Sequence, residues 1–236
     1  MSAVVATVKL HLNQRSTTFL TPLYIAGVAA VVSILISLLF WRSGSLPGTP
    51  DWVQGSRSNG AIAWALAGFM IPFGVTSVAV SFPFALALGA TRRSFVTGTL
   101  LWYALTSAYI AALFALLLGV ELATGHWFAG FYIYDVYVLG AGNIGRLLAI
   151  VFLGVLTSLT VGGVFAASWV RFGSRGPQVI GAGLVVAAVV GLIVVLPALP
   201  SIAAAFQLWW LAVGALGTAV LASTSTWLLL RPAVVR

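Results

Sequence analysis

Two long stretches without a charged side chain constrain the fold of this chain more than any other feature of its sequence. Residues 61–88 and residues 95–120 contain no Asp, Glu, Lys or Arg. Each stretch is longer than the ~20 residues that an α-helix needs to cross a bilayer. The short loop between them contains Arg92 and Arg93, whose guanidinium groups are costly to place in hydrocarbon. The pattern predicts two membrane-spanning helices joined at a membrane surface.

The composition extends this prediction to the whole chain. Of its 236 residues, 61% are apolar and only 6% are charged, whereas about a quarter are charged in soluble domains. The net charge is +8, but the basic residues fall between apolar stretches, so a nucleic-acid partner is not expected. The chain contains no cysteine, which excludes disulfides and thiolate chemistry.

The apolar stretches predict six spans within a single transmembrane domain, residues 1–236. The expected fold is an all-α polytopic membrane protein, with Pro72 and Pro83 as bend sites in the second span. The Gly-, Ser- and Pro-rich residues 42–59 predict an exposed loop, and the aromatic-rich residues 121–146 predict a loop at the membrane surface. The spans are expected at residues 22–41, 61–88, 95–120, 147–170, 179–197 and 207–230.

The first residues of the chain have the pattern of a helix that lies in the membrane interface. Within residues 2–19, Val4, Val5 and Val8 fall on one side of a helix, and Lys9 lies towards the other. An apolar face opposite a polar one is typical of interfacial helices. A frayed tail is the alternative interpretation of such a short pattern.

Small residues and prolines mark two further segments. Gly154, Ser158, Gly162 and Ala166 repeat at a spacing of four residues, which predicts a close helix pair. Residues 197–206 stay apolar between two prolines and the next span. This link is too short to cross the membrane again, so it predicts either a re-entrant hairpin or a tight turn.

The charges predict the orientation of the chain. Six crossings place both termini on one side, and the positive-inside rule makes the side with the basic excess cytoplasmic. The opposite side carries Arg42, Arg57 and Arg146 together with the only three acidic residues, so its net charge is zero. The side of the termini carries no acidic residue and eight basic ones, which are Lys9, Arg15, Arg92, Arg93, Arg171, Arg175, Arg231 and Arg236.

The residues for several kinds of chemistry are missing. The spans contain no charged residue away from their ends, which argues against an ion-coupled carrier. Lys9 is the only lysine and has no Gly-rich phosphate loop around it, so the chain is not expected to bind ATP. His11 and His126 are expected on opposite sides of the membrane and cannot form one site. We therefore expect no catalytic residue, no metal site and no cofactor in this chain.

Two groups of polar residues have less specific interpretations. Serines within the spans, such as Ser77, have no base nearby to activate them and are expected to pack helices. Glu121, His126 and Asp135 lie in the second long loop or at its start. They can form an outward acidic patch that receives cations, pair with Arg146, or be solvated.

Four features of the chain occur together in one known family. They are the basic amphipathic start, six spans with cytoplasmic termini, a proline-broken link between the last two spans, and the loop Leu88-Gly-Ala-Thr-Arg-Arg-Ser-Phe95. With them, the chain resembles the permease subunits of ATP-binding-cassette (ABC) exporters, in their small six-helix type-2 class. The resemblance implies a multi-pass protein of a bacterial plasma membrane that exports a drug, an antibiotic, a peptide or a lipid. It also implies a dimer with a second copy or a paralogue, and separate ATPase subunits that bind ATP and Mg.

The resemblance implies roles for three groups of residues. The loop between the second and third spans would be a coupling helix for the ATPase, the second span would line the pathway, and the link between the last two spans would be a re-entrant outer element. The coupling group is Gly89, Ala90, Thr91, Arg92, Arg93, Ser94 and Phe95, the pathway group is Phe69, Phe73, Thr76, Ser77 and Val80, and the outer group is Pro197, Pro200 and Phe206.

The residues alone leave two other classes of protein open. One is a non-transporting scaffold or assembly protein that holds a cytosolic partner through the same arginine loop. The other is a facilitative carrier or channel. In every class, membrane lipid is an expected partner.

Overall fold

A computed structural model describes residues 3–14 and 16–233, and this part of the chain contains ten α-helices and no strand. Arg15 and Arg236, two of the basic residues counted above, lie outside the described residues. The helices are α1 (Ala3–Leu12), α2 (Thr21–Arg42), α3 (Pro50–Arg57), α4 (Ala61–Ala79), α5 (Ser81–Ala87), α6 (Arg92–Ala123), α7 (Ile144–Phe172), α8 (Arg175–Val195), α9 (Leu199–Ala205) and α10 (Leu208–Leu230).

Six helical segments are long and apolar enough to cross a membrane, which confirms the prediction of six apolar helices of spanning length. Each of them coincides with one of the six predicted spans to within one residue or contains it. The segments are Thr18–Arg42, Pro50–Ala87, Arg92–Ala123, Ile144–Phe172, Arg175–Ala205 and Leu208–Leu230.

Short polar signals set several helix boundaries. The Asn143 side chain accepts a hydrogen bond from the Arg146 backbone N–H at 2.9 Å and caps α7. At the other end of α7, Gly173 has a φ of 68°, a conformation that glycine adopts without strain. Between α4 and α5 the helix is interrupted at Val80. This break matches Pro83, which has no N–H to donate to the Ala79 carbonyl group.

The centre of the fold is α7, which packs against α4, α6 and α10. A Cβ atom at Gly162 would collide with the Ile71 carbonyl oxygen, and one at Gly74 would collide with the Leu159 carbonyl oxygen. The helices α4 and α7 therefore approach closely through small residues. The predicted close pair is confirmed at Gly162, whereas Gly154, from the same series, has no neighbouring atom at Cβ distance.

Polar side chains connect the helices at this crossing. The Tyr103 hydroxyl of α6 lies 2.7 Å from Ser77 Oγ and donates to the Gly74 carbonyl oxygen at 3.2 Å. Ser77 thus packs helices, as the sequence predicts. On the other side of α7, Thr157 donates to the Ala215 carbonyl oxygen of α10 at 3.3 Å.

Two apolar cores lie at different levels of the bundle. The larger core joins α2, α4, α6 and α7 and includes Phe73, Trp102 and Phe114. The smaller core joins the end of α5, the start of α6 and the ends of α7 and α10, and it includes Phe82 and Phe95. We call the end of the bundle at the smaller core the basic end, because five arginines lie there at the ends of helices. They are Arg92 and Arg93 of α6, Arg171 of α7, Arg175 of α8 and Arg231 after α10. The cap end is opposite.

The segment after α2 differs from the predicted exposed loop, because it contains α3. Thr49 accepts a hydrogen bond from the Trp52 backbone N–H at 3.4 Å, and Pro50 opens the helix. The Trp52 side chain is 0% exposed, and its indole N–H donates to the Gly130 carbonyl oxygen at 2.7 Å. The prediction of an exposed loop is therefore wrong for residues 50–57, since burial of an indole ring stabilises the helix against the rest of the protein.

Candidate coupling surface and outer cap

The turn between α5 and α6 is built from local hydrogen bonds. Gly89 has a φ of 83°, which allows the chain to leave α5 without strain. The Thr91 side chain then accepts a hydrogen bond from the Ser94 backbone N–H at 3.1 Å, while the Ser94 hydroxyl donates to the Thr91 carbonyl oxygen at 2.8 Å. Thr91 is thus the N-cap of α6.

The seven residues of the coupling group divide into an exposed set and a buried set. Ser94 is buried, and Phe95 is 0% exposed with its ring edge-on to Phe82 at 5.2 Å. These two side chains anchor the turn and cannot reach a partner. The side chains available at the surface are those of Thr91 and Arg93, next to the exposed Gly89 and the half-buried Ala90 and Arg92.

Arg92 connects the start of α6 to the end of α10. One of its guanidinium N–H groups donates to the Arg231 carbonyl oxygen, beyond the last turn of α10. Arginine is suited to such a contact because its planar group carries five donors. Within the described residues, no acidic side chain lies within ion-pair distance of Arg92 or Arg93.

An open groove of about 720 Å³ lies between α1 and the turn. Small side chains line much of it, including those of Ala6, Ala85 and Ala90. Lys9 and the exposed Leu88 also line it. The groove therefore combines an apolar surface with a positive charge, directly beside the exposed part of the turn.

The helix α1 packs against α6 through a buried histidine. His11 is 1% exposed, and its Nε2 lies 3.1 Å from Thr99 Oγ1. Its ring stacks on Trp102 with a centroid distance of 4.6 Å. Burial lowers the pKa of His11 from 6.5 to about 4, because the charged imidazolium loses its hydration.

The packed face of α1 differs from the expected apolar face. Thr7, Val8 and His11 are buried, whereas Val5 is exposed. Gly98 of α6 explains this choice, because its missing side chain leaves room for Thr7. A helix is present where the sequence predicts an interfacial one, but it is docked on the bundle through polar and aromatic contacts.

The five residues of the pathway group lie on two faces of α4 and its end. Phe73 and Ser77 are buried inside the chain, where Phe73 packs edge-on against Trp102 at 5.3 Å. Phe69, Thr76 and Val80 are exposed on the outer face. Any pathway along this helix would therefore use the exposed three residues and not Phe73 or Ser77.

The outer group lies on an uncovered part of the chain. Pro197 and Pro200 belong to a helical segment that continues from α8 through a 3₁₀ turn at Leu196–Ala198 into α9. The chain becomes extended at Phe206, just before α10. All three side chains are exposed.

The cap end contains a charged cluster that links α3 to the second long loop. Arg57 donates to Asp135 Oδ1 from Nη2 at 2.6 Å, and His126 Nε2 lies 3.1 Å from the other carboxylate oxygen. The Arg57 guanidinium group also lies over the rings of Tyr132 and Tyr137, 5.8 and 5.3 Å from their centroids. Asp135 is thus paired with Arg57 and His126 instead of Arg146, and it is not an open cation site.

Glu121 has a different partner set from the one expected for an acidic patch. Its carboxylate is 0% exposed and accepts hydrogen bonds from the backbone N–H groups of Ile133, Tyr134 and Asp135 at 2.7–3.2 Å. The Trp127 indole N–H donates to it at 3.2 Å. Four donors satisfy one buried carboxylate, so Glu121 organises the loop and is not available to a cation.

The loop contains three consecutive residues in a left-handed conformation. His126, Trp127 and Phe128 have φ values of 61°, 60° and 62°, and each such residue costs about 1–3 kcal/mol. The bonds of His126 to Asp135 and of Trp127 to Glu121 hold this turn in place. As a result, the Phe128 ring is directed away from the protein and is 88% exposed.

Sequence signals existed for only part of this cap. The run Thr49-Pro50-Asp51 has the N-cap, the first-turn proline and the first-turn acid that typically begin a helix. By contrast, no local pattern indicates that Glu121 binds backbone groups twelve to fourteen residues later.

Comparisons with protein families, with curated proteins and with solved structures found no match to this chain.

Proposed function

We propose that the chain is the membrane subunit of an ATP-driven exporter of the small type-2 ABC class. In this proposal it forms the translocation pathway as a dimer with a second copy or a paralogue. Separate subunits bind ATP and Mg and supply the energy, and the cargo is amphipathic or hydrophobic. The observation that carries the proposal is the exposed turn at residues 89–93, which lies beside an open groove and is bonded on its buried side to several helices.

The buried contacts of the turn allow it to transmit a force. Phe95 packs on Phe82 of α5, and Arg92 is bonded to the end of α10. His11 holds α1 on α6 within the first three turns of that helix. A partner that moves the turn therefore moves α1, α5, α6 and α10 together. A loop that served only as a topology signal would need none of these contacts.

The groove supports docking of an acidic, amphipathic element of a cytosolic ATPase. Alanine side chains allow the close approach of another helix, and Leu88 offers an apolar contact. Lys9 in the groove and the exposed Arg93 of the turn supply positive charge, and none of the three acidic residues of the chain lies at the basic end. Such charge complementarity selects partners and speeds their association.

The exposed face of α4 supports a pathway between two chains. Phe69 borders a cleft of about 240 Å³ between α2 and α4, which Tyr24 and Val28 also line. Thr76 and Val80 continue the same exposed face towards the basic end. A second copy against this face would enclose an apolar pathway with one hydroxyl group, which suits a hydrophobic cargo.

The proposal includes an orientation and a location. Both termini are cytoplasmic, because the basic end then faces the cytoplasm as the positive-inside rule requires. The membrane is the plasma membrane of a bacterium. Residues 197–206 form the outer re-entrant element, and the apolar, uncovered character of α9 supports this assignment.

The proposal is tested by co-purification with a P-loop ATPase encoded beside this chain. The purified chain alone is expected to have no ATPase activity, and the assembled complex is expected to hydrolyse ATP. Arg93→Glu should weaken ATPase binding about tenfold or more, because it reverses the charge of the exposed arginine of the turn. Arg146→Glu is the matched control, since it reverses an exposed arginine at the cap end.

Two results would contradict the proposal. One is equal binding of the ATPase to the wild-type chain and to the Arg93→Glu variant. The other is ATP hydrolysis by the chain alone that Lys9→Ala abolishes. Insertion of each variant is measured in the same preparation, so that a failure of folding is recognised separately.

A further inference from the structure

A second groove, unrelated to the coupling surface, lies between α7, α8 and α10. Its volume is about 670 Å³, and its lining is almost entirely apolar, with Phe165, Leu184 and Leu228 from the three helices. This volume is within the roughly 300–1,000 Å³ typical of small-molecule pockets. The groove opens sideways, towards the region that lipid occupies around a membrane protein.

The path of α8 creates this groove. At its start, α8 touches α7 closely, because a Cβ atom at Gly176 would collide with the Ser168 carbonyl oxygen. Beyond this contact α8 diverges from the bundle, and none of the residues in its most apolar stretch is buried. The result is a wedge that is narrow at the basic end and open along the membrane.

Arginines extend the lining of the groove at the basic end. Arg171 follows Val164 by seven residues on α7, and Arg231 follows Leu228 by three residues at the end of α10. These spacings place each arginine near the same face of its helix as the lining residue, one or two turns further on. Both arginines are exposed.

No acidic residue competes for these arginines at the basic end. The three acids of the chain are Asp51 in α3, Glu121 near the end of α6 and Asp135 in the cap loop. An apolar groove between helices with cations beyond its narrow end has the chemistry that recognises an anionic phospholipid. The acyl chain would lie along the groove, and the phosphate group would lie between the two guanidinium groups.

We propose that the groove between α7, α8 and α10 binds one anionic phospholipid, with its headgroup on Arg171 and Arg231. On the orientation proposed above, the lipid belongs to the inner leaflet. A helix of a second copy is a poorer fit, because a copy in the same orientation would bring its own basic end, which has no acidic residue, against Arg171 and Arg231.

Two hydroxyl side chains, Thr218 and Ser225, line the groove beside nine apolar ones. The Thr218 hydroxyl donates to the Gly214 carbonyl oxygen of its own helix at 2.8 Å. The groove therefore offers little besides apolar surface until the level of the arginines, as an acyl chain requires. This site does not involve the α1 groove or any ATPase, so only the choice of leaflet rests on the proposed function.

The test is native mass spectrometry of the purified full chain with added phosphatidylglycerol or phosphatidylcholine. Wild-type protein should retain one phosphatidylglycerol per chain more tightly than phosphatidylcholine, and high salt should reduce the difference. The Arg171→Gln/Arg231→Gln variant should bind phosphatidylglycerol about 25-fold more weakly, or about 5-fold for each arginine. The Arg42→Gln/Arg146→Gln variant, which loses the same charge at the cap end, should bind like wild type.

A steric variant tests the apolar part of the site. Ser225→Phe fills the groove and should reduce retention of both lipids, while Thr224→Phe, at an exposed position outside the groove, should not. Equal loss in the two arginine variants, or equal retention of the two lipids, would overturn the proposal. So would complete disulfide formation between two copies of a Leu184→Cys variant, because a second chain would then occupy the groove.

Discussion

Acidification should release α1 from α6, because this interface buries a histidine without a carboxylate partner. His11 contacts Thr99, Trp102 and Phe95, and none of these side chains can neutralise an imidazolium. Protonation would leave a buried, unpaired charge, whereas an undocked α1 exposes His11 to water. The undocked state therefore binds a proton more readily than the docked state.

The pKa values give the size and direction of this effect. Burial lowers the pKa of docked His11 from 6.5 to about 4, so docking is most stable above about pH 7 and weakens as the pH falls through 6.5 towards 4. The slope in that window is about 1.4 kcal/mol per pH unit. Between pH 7.5 and pH 5, docking should lose about 2 kcal/mol, which is about 30-fold in its equilibrium constant.

Cysteine accessibility can measure this change, because the natural chain has no cysteine. A thiol at the buried position of Thr7→Cys reports undocking, and a thiol at the exposed position of Val5→Cys is the reference on the same helix. The ratio of their labelling rates cancels the pH dependence of thiolate chemistry.

The Thr7→Cys reaction should gain about 30-fold over the reference between pH 7.5 and pH 5. This gain should be lost in a His11→Asn background. A ratio that stays constant with pH in the presence of His11, or that changes equally in the His11→Asn background, would refute the reasoning.

Three further predictions test the crossing, the cap and the topology. Gly162→Ala should destabilise the protein in thermal unfolding by about 1–3 kcal/mol through overpacking. Gly154→Ala, at a site with free space, should not. Equal melting temperatures of the two variants would contradict the close α4–α7 contact. Glu121→Gln should lower the free energy of unfolding by about 3 kcal/mol, since four hydrogen bonds lose a charged acceptor. Asp51→Asn, which changes an exposed acid, is the control. Equal stability of the two variants would contradict the role of Glu121. In sealed cells, an impermeant thiol reagent should label Ser58→Cys but not Ser174→Cys, and labelling of the second site would reverse the proposed topology.

Local chemistry made much of the fold predictable. A run of apolar residues longer than a bilayer indicates a span whatever surrounds it, and all six apolar segments of spanning length are present. Caps such as Asn143 and close approaches such as Gly162 depend on neighbouring residues or on one helix face. These features can be inferred because their physical causes lie within a few residues of sequence.

The faces of the spans could not be predicted in the same way. In a soluble protein, the apolar side of a helix indicates its buried side. The helix α4 is apolar all round, because lipid and the protein core favour the same residues. The sequence therefore could not separate the buried Phe73 from the exposed Phe69. The cap could not be predicted for another reason. The hydrogen bond from the Ile133 backbone N–H to the Glu121 carboxylate depends on how the loop folds back onto α6.

The length of α6 and its contacts limit how a force on the turn at residues 89–93 can move the helices. The helix α6 is continuous over 32 residues, or about 48 Å, from the turn at residues 89–93 to Ala123 in the cap. A rod of this kind transmits a tilt better than a bend. The natural pivot is the α4–α7 crossing at Gly74 and Gly162, where backbones meet directly and Tyr103 ties α6 to α4. In the proposed exporter, rocking about this pivot would move the exposed face of α4 relative to a second copy, so that ATPase movement at one end would reshape a pathway between the two chains.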